Sequence, residues 1–267
     1  MSIPLYTRAI HTAAADRGCS EIRFITIPDN DNYMSIVNKS RCTGAGPIDL
    51  CNNMGDRFGT VNGRVFTVIS REKPTLGKDA SHIFSGANTI EKIDLTGVDC
   101  SEIKTLNSAF ITCFKLKELI FDESITNAKI EDMSFAFKHT GLKDADLTQL
   151  DLSECTNFMQ TFAHCCLLKS VKFNNNIRIQ PTSMVEMFTM CLNLESVALS
   201  MFNLRKTDMT KAFEYCNAVS DLDLSTVNGE LLKDKAYISY IFGDFANIRN
   251  RNIKLPEILE TLRRLQP

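Results

Sequence analysis

A phenylalanine returns at Phe84, Phe110, Phe137, Phe162, Phe188, Phe213 and Phe242, at intervals of 26, 27, 25, 26, 25 and 29 residues. A period of this length confines the chain to few architectures, because it means one supersecondary unit copied along the sequence. Four residues before these anchors stand Ala80, Leu106, Met133, Phe158, Met184, Met209 and Ile238. Three residues after come Cys113, Cys165, Cys191 and Cys216, in four of the seven units. Apolar triplets then follow: Ile90/Ile93/Leu95, Leu116/Leu119/Phe121, Leu168/Val171/Phe173, Leu194/Val197/Leu199 and Val219/Leu222/Leu224. The triplet Leu142/Ala145/Leu147 fits after a deletion of one residue.

An apolar pair four apart puts two side chains on one face of a short helix. The alternation at the end of each triplet is a strand with every second residue turned inward. One such unit has a single apolar stripe and cannot bury it alone, so successive units must stack into a solenoid. The spacing therefore predicts Phe110, Phe137, Phe162, Phe188 and Phe213 as a column in the core. The cysteine three residues on sits at the corner between helix and strand, where a small apolar thiol fits.

The N-terminal third diverges. "CSEIRFITIPDN" offers Cys19, Ile22, Ile25 and Ile27 at the corner and strand offsets, with Pro28 ending the strand. Met54 and Phe58 repeat the helix pair, and Cys42, Ala45, Ile48 and Leu50 match weakly. "VNGRVFTVIS" reads as a hairpin with Asn62-Gly63 at its turn. Residues 3–17 read as a capping helix, and 255–265 as a closing one with Pro256 in its first turn. No linker interrupts the chain. The expectation is one domain over 1–267: an N-terminal cap (1–17), divergent repeats (18–79), regular repeats (80–254) and a C-terminal cap (255–267).

Hydrophobic residues make up 44% of the chain and charged residues 23%, enough for a packed core. A net charge of −2 argues against a protein that works by neutralising phosphates, so no nucleic-acid partner is expected. Neither a signal-like apolar segment nor a membrane-length run is present, so no membrane partner is expected. The chain is expected to stay in the cytoplasm, or to leave by a route without a cleaved signal peptide. In a reducing compartment its ten cysteines are free thiols.

The repeat resembles the BspA-like type of leucine-rich repeat, a bacterial unit of about 26 residues found in surface proteins. "MTKAFEYCNAVSDLDLS" and "MVEMFTMCLNLESVALS" match its pattern M-x-x-x-F-x-x-C-x-x-L-x-x-L-x-L-S nearly position for position. "CSEIRFITIPDN" resembles the variant in which Pro follows the strand. The resemblance covers about 80–255 well and 16–70 loosely. It implies an α/β fold: a right-handed leucine-rich-repeat solenoid of short strands and short helices, with helical caps at both ends. The asparagine three residues past the strand, which forms a ladder in plant and animal repeats, is present only as Asn176, so their ligand modes do not transfer. For function the resemblance implies a binding surface and no chemistry.

Candidate sites read the same way. One cysteine per repeat at a fixed offset makes Cys19, Cys113, Cys165, Cys191 and Cys216 a structural ladder rather than a redox centre. Cys51, Cys100, Cys155 and Cys166 fall off that ladder, and no C-x-x-C pair supplies a zinc knuckle. His139 and His164 both sit two residues past an anchor, so adjacent units bring them about 5 Å apart. A zinc site with Cys165 or Cys166 is conceivable there. The same column carries Thr112, Met190 and Tyr215, however, so the preferred reading is two partly exposed imidazoles and no metal. "CTGAGP" lacks the lysine of a phosphate loop. Asp94, Asp146 and Asp223 sit where the repeat itself favours aspartate, which makes them structural or solvated. The cations Arg249, Arg251, Lys254, Arg263 and Arg264 form a solvated, mildly basic end.

The outward residues flanking each middle strand position form the expected concave binding face. They are Phe24/Thr26, Lys92/Asp94, Glu118/Ile120, Asp144/Asp146, Ser170/Lys172, Ser196/Ala198 and Asp221/Asp223. Phe24 and Ile120 stand out as apolar anchors in a polar field. The reading is a non-enzymatic, monomeric recognition module without cofactor, presenting this face to a protein partner as a bacterial effector or scaffold. Two rival readings are a surface adhesin or host-interaction fragment, and an enzyme with a catalytic insert in 28–70.

Overall fold

The computed structural model describes residues 4–26, 48–49, 57–70, 73–225, 227, 241–242 and 252–254. Helix α1, Pro4–Asp16, opens on a proline whose missing N–H is no loss in a first turn. It ends at Gly18, whose φ of 68° lets the Cys19 N–H turn back to the Ala14 carbonyl at 2.9 Å. Its inner face buries Ile10 and Ala14 against the core. Strand β1 is Glu21–Thr26, β2 Ile48–Asp49, β3 Arg57–Asn62 and β4 Val65–Ser70. The short strands that follow are β5 Lys92–Asp94, β6 Glu118–Ile120, β7 Asp144–Leu147, β8 Ser170–Phe173, β9 Ser196–Val197, β10 Asp221–Asp223 and β11 Asn252–Lys254.

Each short strand pairs in parallel with the strand one period away. Lys92 lies opposite Glu118, Asp144 opposite Ser170, and Ser170 opposite Ser196. In-register pairing sets each inward side chain against its own copy. The anchor rings stack as a continuous column with centroids 6.0, 5.5, 5.3, 5.6, 5.3 and 5.9 Å apart from Phe84 to Phe242. All are buried.

The backbone that carries these rings differs from the expected short helix. In the unit anchored on Phe110, the N–H groups of Ala109, Ile111 and Cys113 donate to Leu106, Ser108 and Phe110, three residues back. The alternate N–H groups of Leu106, Ser108, Phe110 and Thr112 donate across to Asp132, Ser134, Ala136 and Lys138 of the next unit, at 2.8–2.9 Å. The result is a ribbon of overlapping turns, with half its hydrogen bonds local and half between units. Its inward positions recur at spacings of three and four, like those of a helix, so the apolar pattern alone does not separate the two. Every unit from Phe84 to Phe213 holds left-handed backbone two residues before and two after its anchor, as at Ser108 (φ 54°) and Thr112 (φ 61°). For side chains other than glycine that conformation costs on the order of 1 kcal/mol per residue, and the cross-unit bonds on both flanks hold it.

The corner cysteines complete the column. Cys113, Cys165, Cys191 and Cys216 each donate their S–H to the anchor carbonyl of the preceding unit (Phe84, Phe137, Phe162 and Phe188) at 3.0–3.1 Å. A small side chain fits this corner, and the thiol adds a weak donor. In the unit anchored on Phe137, Thr140 takes the cysteine's position, with its hydroxyl 3.3 Å from the Cys165 sulfur.

The N-terminal rungs depart from the sequence reading. Strands β3 and β4 form the expected hairpin, with Gly63 at φ 60° in its turn. Phe58 therefore lies in a strand opposite Ile69, not in a helix pair. Strand β1 is sandwiched between β4 and β5, both parallel to it. Ile22 pairs with Ile93, so it fills the middle strand position rather than the one three residues earlier. That shift turns Phe24 and Thr26 towards the core side and leaves Ile25 exposed. The matches at Ile27, Cys42, Ala45, Leu50 and Met54, and the closing helix at 255–265, lie outside the described residues.

The strands form two sheets, ordered β2-β3-β4-β1-β5-β6 and β11-β10-β9-β8-β7. The break falls between β6 and β7, where the sequence deletes one residue. Elsewhere the backbone N–H at the strand entrance bonds the preceding unit, as Lys117 does to Glu91 (2.8 Å) and Lys169 to Lys143 (2.7 Å). The equivalent bond from Lys143 to Lys117 is absent. The shortened chain cuts the corner instead, and the Gly141 N–H reaches the Cys113 carbonyl at 3.2 Å. A Cβ at Gly141 would collide with the Phe114 carbonyl oxygen and lie 3.1 Å from that of Leu116. The turn ribbon crosses this point unbroken.

Candidate functional site

The outward strand positions form two rows along β5–β6 and again along β7–β10, interrupted where β6 and β7 do not pair. Lys92, Glu118, Asp144, Ser170, Ser196 and Asp221 make the first, and Asp94, Ile120, Asp146, Lys172, Ala198 and Asp223 the second. The second sheet presents Asp144, Asp146, Lys172, Ser196, Ala198, Asp221 and Asp223 to solvent. The charges are largely cross-linked between units: Lys92 to Glu118 at 3.1 Å and Lys254 to Asp223 at 3.4 Å. The Asp144 carboxylate accepts from the Ser170 hydroxyl at 2.6 Å. Asp94, Asp146 and Asp223 each accept the backbone N–H two residues on, at 3.0 Å, which closes the turn after the strand. The Thr148 and Ser225 hydroxyls add to that bond and hold Asp146 and Asp223 below the usual carboxylate range. These aspartates thus have a structural task. Of the two expected apolar anchors, Phe24 packs inward and Ile120 is half-buried. The face is wide, shallow and polar.

His139 and His164 stack with ring centroids 4.5 Å apart and planes 22° from parallel. Phe114 meets His139 edge-on at 5.8 Å. Burial, His164 and Lys138 together lower the pKa of His139, so it is neutral at neutral pH. Cys165 points into the core and Cys166 outward. Among the described residues no group of three or more His, Cys, Asp or Glu side chains is placed to hold a metal. Burial pushes the thiol of Cys113 up to about 12 and that of Cys165 to about 11, which removes their nucleophilic thiolate at neutral pH. Cys100 and Cys155 are buried too.

Two features escaped the sequence reading. Five residues before each anchor runs a column of short polar side chains: Asp79, Thr105, Asp132, Asn157, Ser183 and Asp208. Each accepts the N–H two residues on and so starts the turn ribbon. Only their common offset could have revealed them. The second is an exposed apolar ridge along the corner between ribbon and strand. It carries Phe114 (56% exposed), Leu167 (50%), Leu192 (39%) and Tyr215 (55%), and Phe114 touches the stacked histidines through His139. These residues fall outside the inward positions of the repeat, and only Phe114 and Leu192 share an offset from the anchor (four residues), with Leu167 at five and Tyr215 at two.

The segment 28–70, weighed above as a catalytic insert, is described only at β2, β3, β4 and the turn joining the last two. Lys254 lies in β11, and the other C-terminal cations lie outside the described residues. No described helix is long and apolar enough to cross a membrane. A family model described as "Mycoplasma protein of unknown function, DUF285" matches residues 78–196. That stretch, which spans the units anchored on Phe84 to Phe188, is similar to the family. No curated protein and no solved structure matches the chain.

Proposed function

We propose that this chain is a non-enzymatic protein-recognition module, a leucine-rich-repeat solenoid of the BspA-like type that presents its strand face to a protein partner. The observation that carries the reading is the register. Parallel pairing one period apart sets outward side chains in straight rows over a core locked by the phenylalanine column. Such a preorganised surface loses little side-chain freedom on binding, and its breadth suits a macromolecule better than a small substrate. Action as an effector or scaffold follows from this reading, and an adhesin would use the same face. The exposed corner ridge favours a second contact surface, since clustered aromatic and aliphatic side chains in a polar field make hot spots.

The test is affinity capture on the full chain, from lysates of the producing cell and of a host. The comparison is a variant carrying Lys172→Glu, Ser196→Arg and Ala198→Arg. A partner held by the native chain should be lost on this variant and retained by Phe114→Ala. Equal capture by the native and strand-face proteins sinks the strand-face reading, and loss on Phe114→Ala alone moves the contact to the ridge.

A further inference from the structure

His139 and His164 stand at one offset in successive units, and both hold left-handed backbone, at φ 60° and 61°. Equal offset and equal backbone send the two side chains out of the ribbon in parallel. Their rings stack with centroids 4.5 Å apart, and Phe114 meets His139 edge-on at 5.8 Å. Thr112 and Met190 hold the same offset in the flanking units, so the stack is two imidazoles long. Both rings are half-buried. They sit against Phe114, the most exposed apolar side chain of the corner ridge.

Two neutral imidazoles stack as aromatic rings do, but two imidazolium ions this close repel. The surroundings give a second proton no support. Lys138 and Lys115, the chain neighbours of His139 and Phe114, are cations. The Lys138 ammonium lies 5.6 Å from the Phe135 ring centre and is hydrogen-bonded to the Gln160 side chain. Phe114, Thr112 and Met190 carry no charge, and beyond His164 come the buried Cys165 thiol and the exposed Cys166. Burial, His164 and Lys138 all oppose a proton on His139, and no carboxylate enters that balance. Nor can the backbone part. His139 N–H donates to the Ala163 carbonyl at 3.0 Å and His164 N–H to that of Thr189 at 2.7 Å, within the ribbon that carries the phenylalanine column. The rings can separate only by turning about their side-chain bonds, and His139 then leaves Phe114.

We propose that the stacked pair is an acid-operated latch on the corner ridge: it holds Phe114 in place while the two rings carry at most one proton, and the rings turn apart when both are protonated. Imidazole is the side chain whose charge changes in the mildly acid range, and histidine clusters switch contact surfaces by this means. A partner seated on Phe114 at neutral pH is then released in acid while the solenoid stays folded. The latch rests on the reading of the ridge as a contact surface and gives that surface a control.

The experiment labels the histidine and phenylalanine rings of the full chain with carbon-13 and follows their shifts and ring-to-ring NOEs by NMR from about pH 8 to about pH 4.5. His139→Gln and His164→Gln assign the signals. The pair is expected to titrate in two steps more than about one pH unit apart. The NOEs from His139 to His164 and to Phe114 should vanish at the second step, while the backbone amide shifts of Phe137 and Phe162 hold. In His164→Gln the His139 ring should titrate in one step, above the pH of that second step. If a substitution unfolds the chain, the native titration decides. Independent titration of the two rings, NOEs that persist with both protonated, or loss of the native amide spectrum at the second step overturns the latch. Every reading is made on the isolated chain, so capture by the strand-face and Phe114→Ala variants judges the recognition reading separately.

Discussion

Replacing Phe162 by alanine probes the phenylalanine column at its middle. Its ring is fully buried, with neighbours at 5.3 Å (Phe137) and 5.6 Å (Phe188) in planes 9° and 1° from parallel. Truncating a buried phenylalanine costs about 3–5 kcal/mol, depending on how far the site collapses. Collapse is restricted here. The Phe137 N–H is fixed to the Thr161 carbonyl, and the Phe188 N–H to that of Ala212, at 2.9 and 2.8 Å, so neither ring can slide into the void. The expected loss is therefore in the upper half, about 4 kcal/mol, with the two lost ring contacts inside that figure. At a urea dependence of about 3 kcal/mol per molar, the midpoint falls by a little over 1 M. Phe114→Ala removes the same ring from an exposed position and should change stability by less than about 0.5 kcal/mol. Equal midpoints for the two variants, or an unshifted Phe162→Ala, would refute the column as the basis of stability.

Gly141→Ala should lower stability by about 1–3 kcal/mol, because the added methyl meets the Phe114 carbonyl, a backbone atom that cannot swing away; an unchanged melting temperature would contradict the pinched corner. Among the described cysteines, Cys166 should react with a thiol reagent at once, and Cys113, Cys165, Cys191 and Cys216 only after denaturation; peptide mapping of the labelled thiols decides this, and a native disulfide within the ladder would overturn its geometry. Acid should unfold the protein in a defined window. Burial tends to raise the Asp122 pKa, but hydrogen bonds from Ser124, the Gly97 N–H and Lys73 hold it well below the usual range. A pKa lower in the folded than in the unfolded state gives stability that is full above about pH 4 and lost as the pH falls further. The melting temperature should drop there, and less steeply in Asp122→Asn. His139 adds a milder loss below about pH 6.5, where the unfolded imidazole takes up its proton first; His139→Gln should remove that part of the profile.

Part of the candidate surface was legible in advance. The strand rows follow from inward-outward alternation once the triplets are aligned, and the structure pairs them in that register within each sheet but not from β6 to β7. Phe24 departs from the expected row because Cys19 lies in the exit of α1 rather than in a repeat corner, which shifts the inward positions of β1. The corner ridge was not legible, because exposure at Phe114 or Tyr215 depends on how far the backbone swings out between ribbon and strand.

The sequence by itself determined the period, the stacked phenylalanines, the inward cysteines and the parallel neighbour relation of the strands. It could do so because identical side chains recur at one offset, and a copied unit buries its stripe only against its own copies. Tertiary structure decided the rest. Whether the stretch before each corner is helix or turn ribbon depends on where alternate N–H groups find acceptors, and those acceptors belong to the next unit. The placement of β4 outside β1, the break after β6 and the uncovered Leu119 and Phe121 depend likewise on contacts between units. A one-residue deletion reads as a small slip in the repeat, but in the stack it unpairs two strands, because a parallel ladder forms only while both chains keep pace.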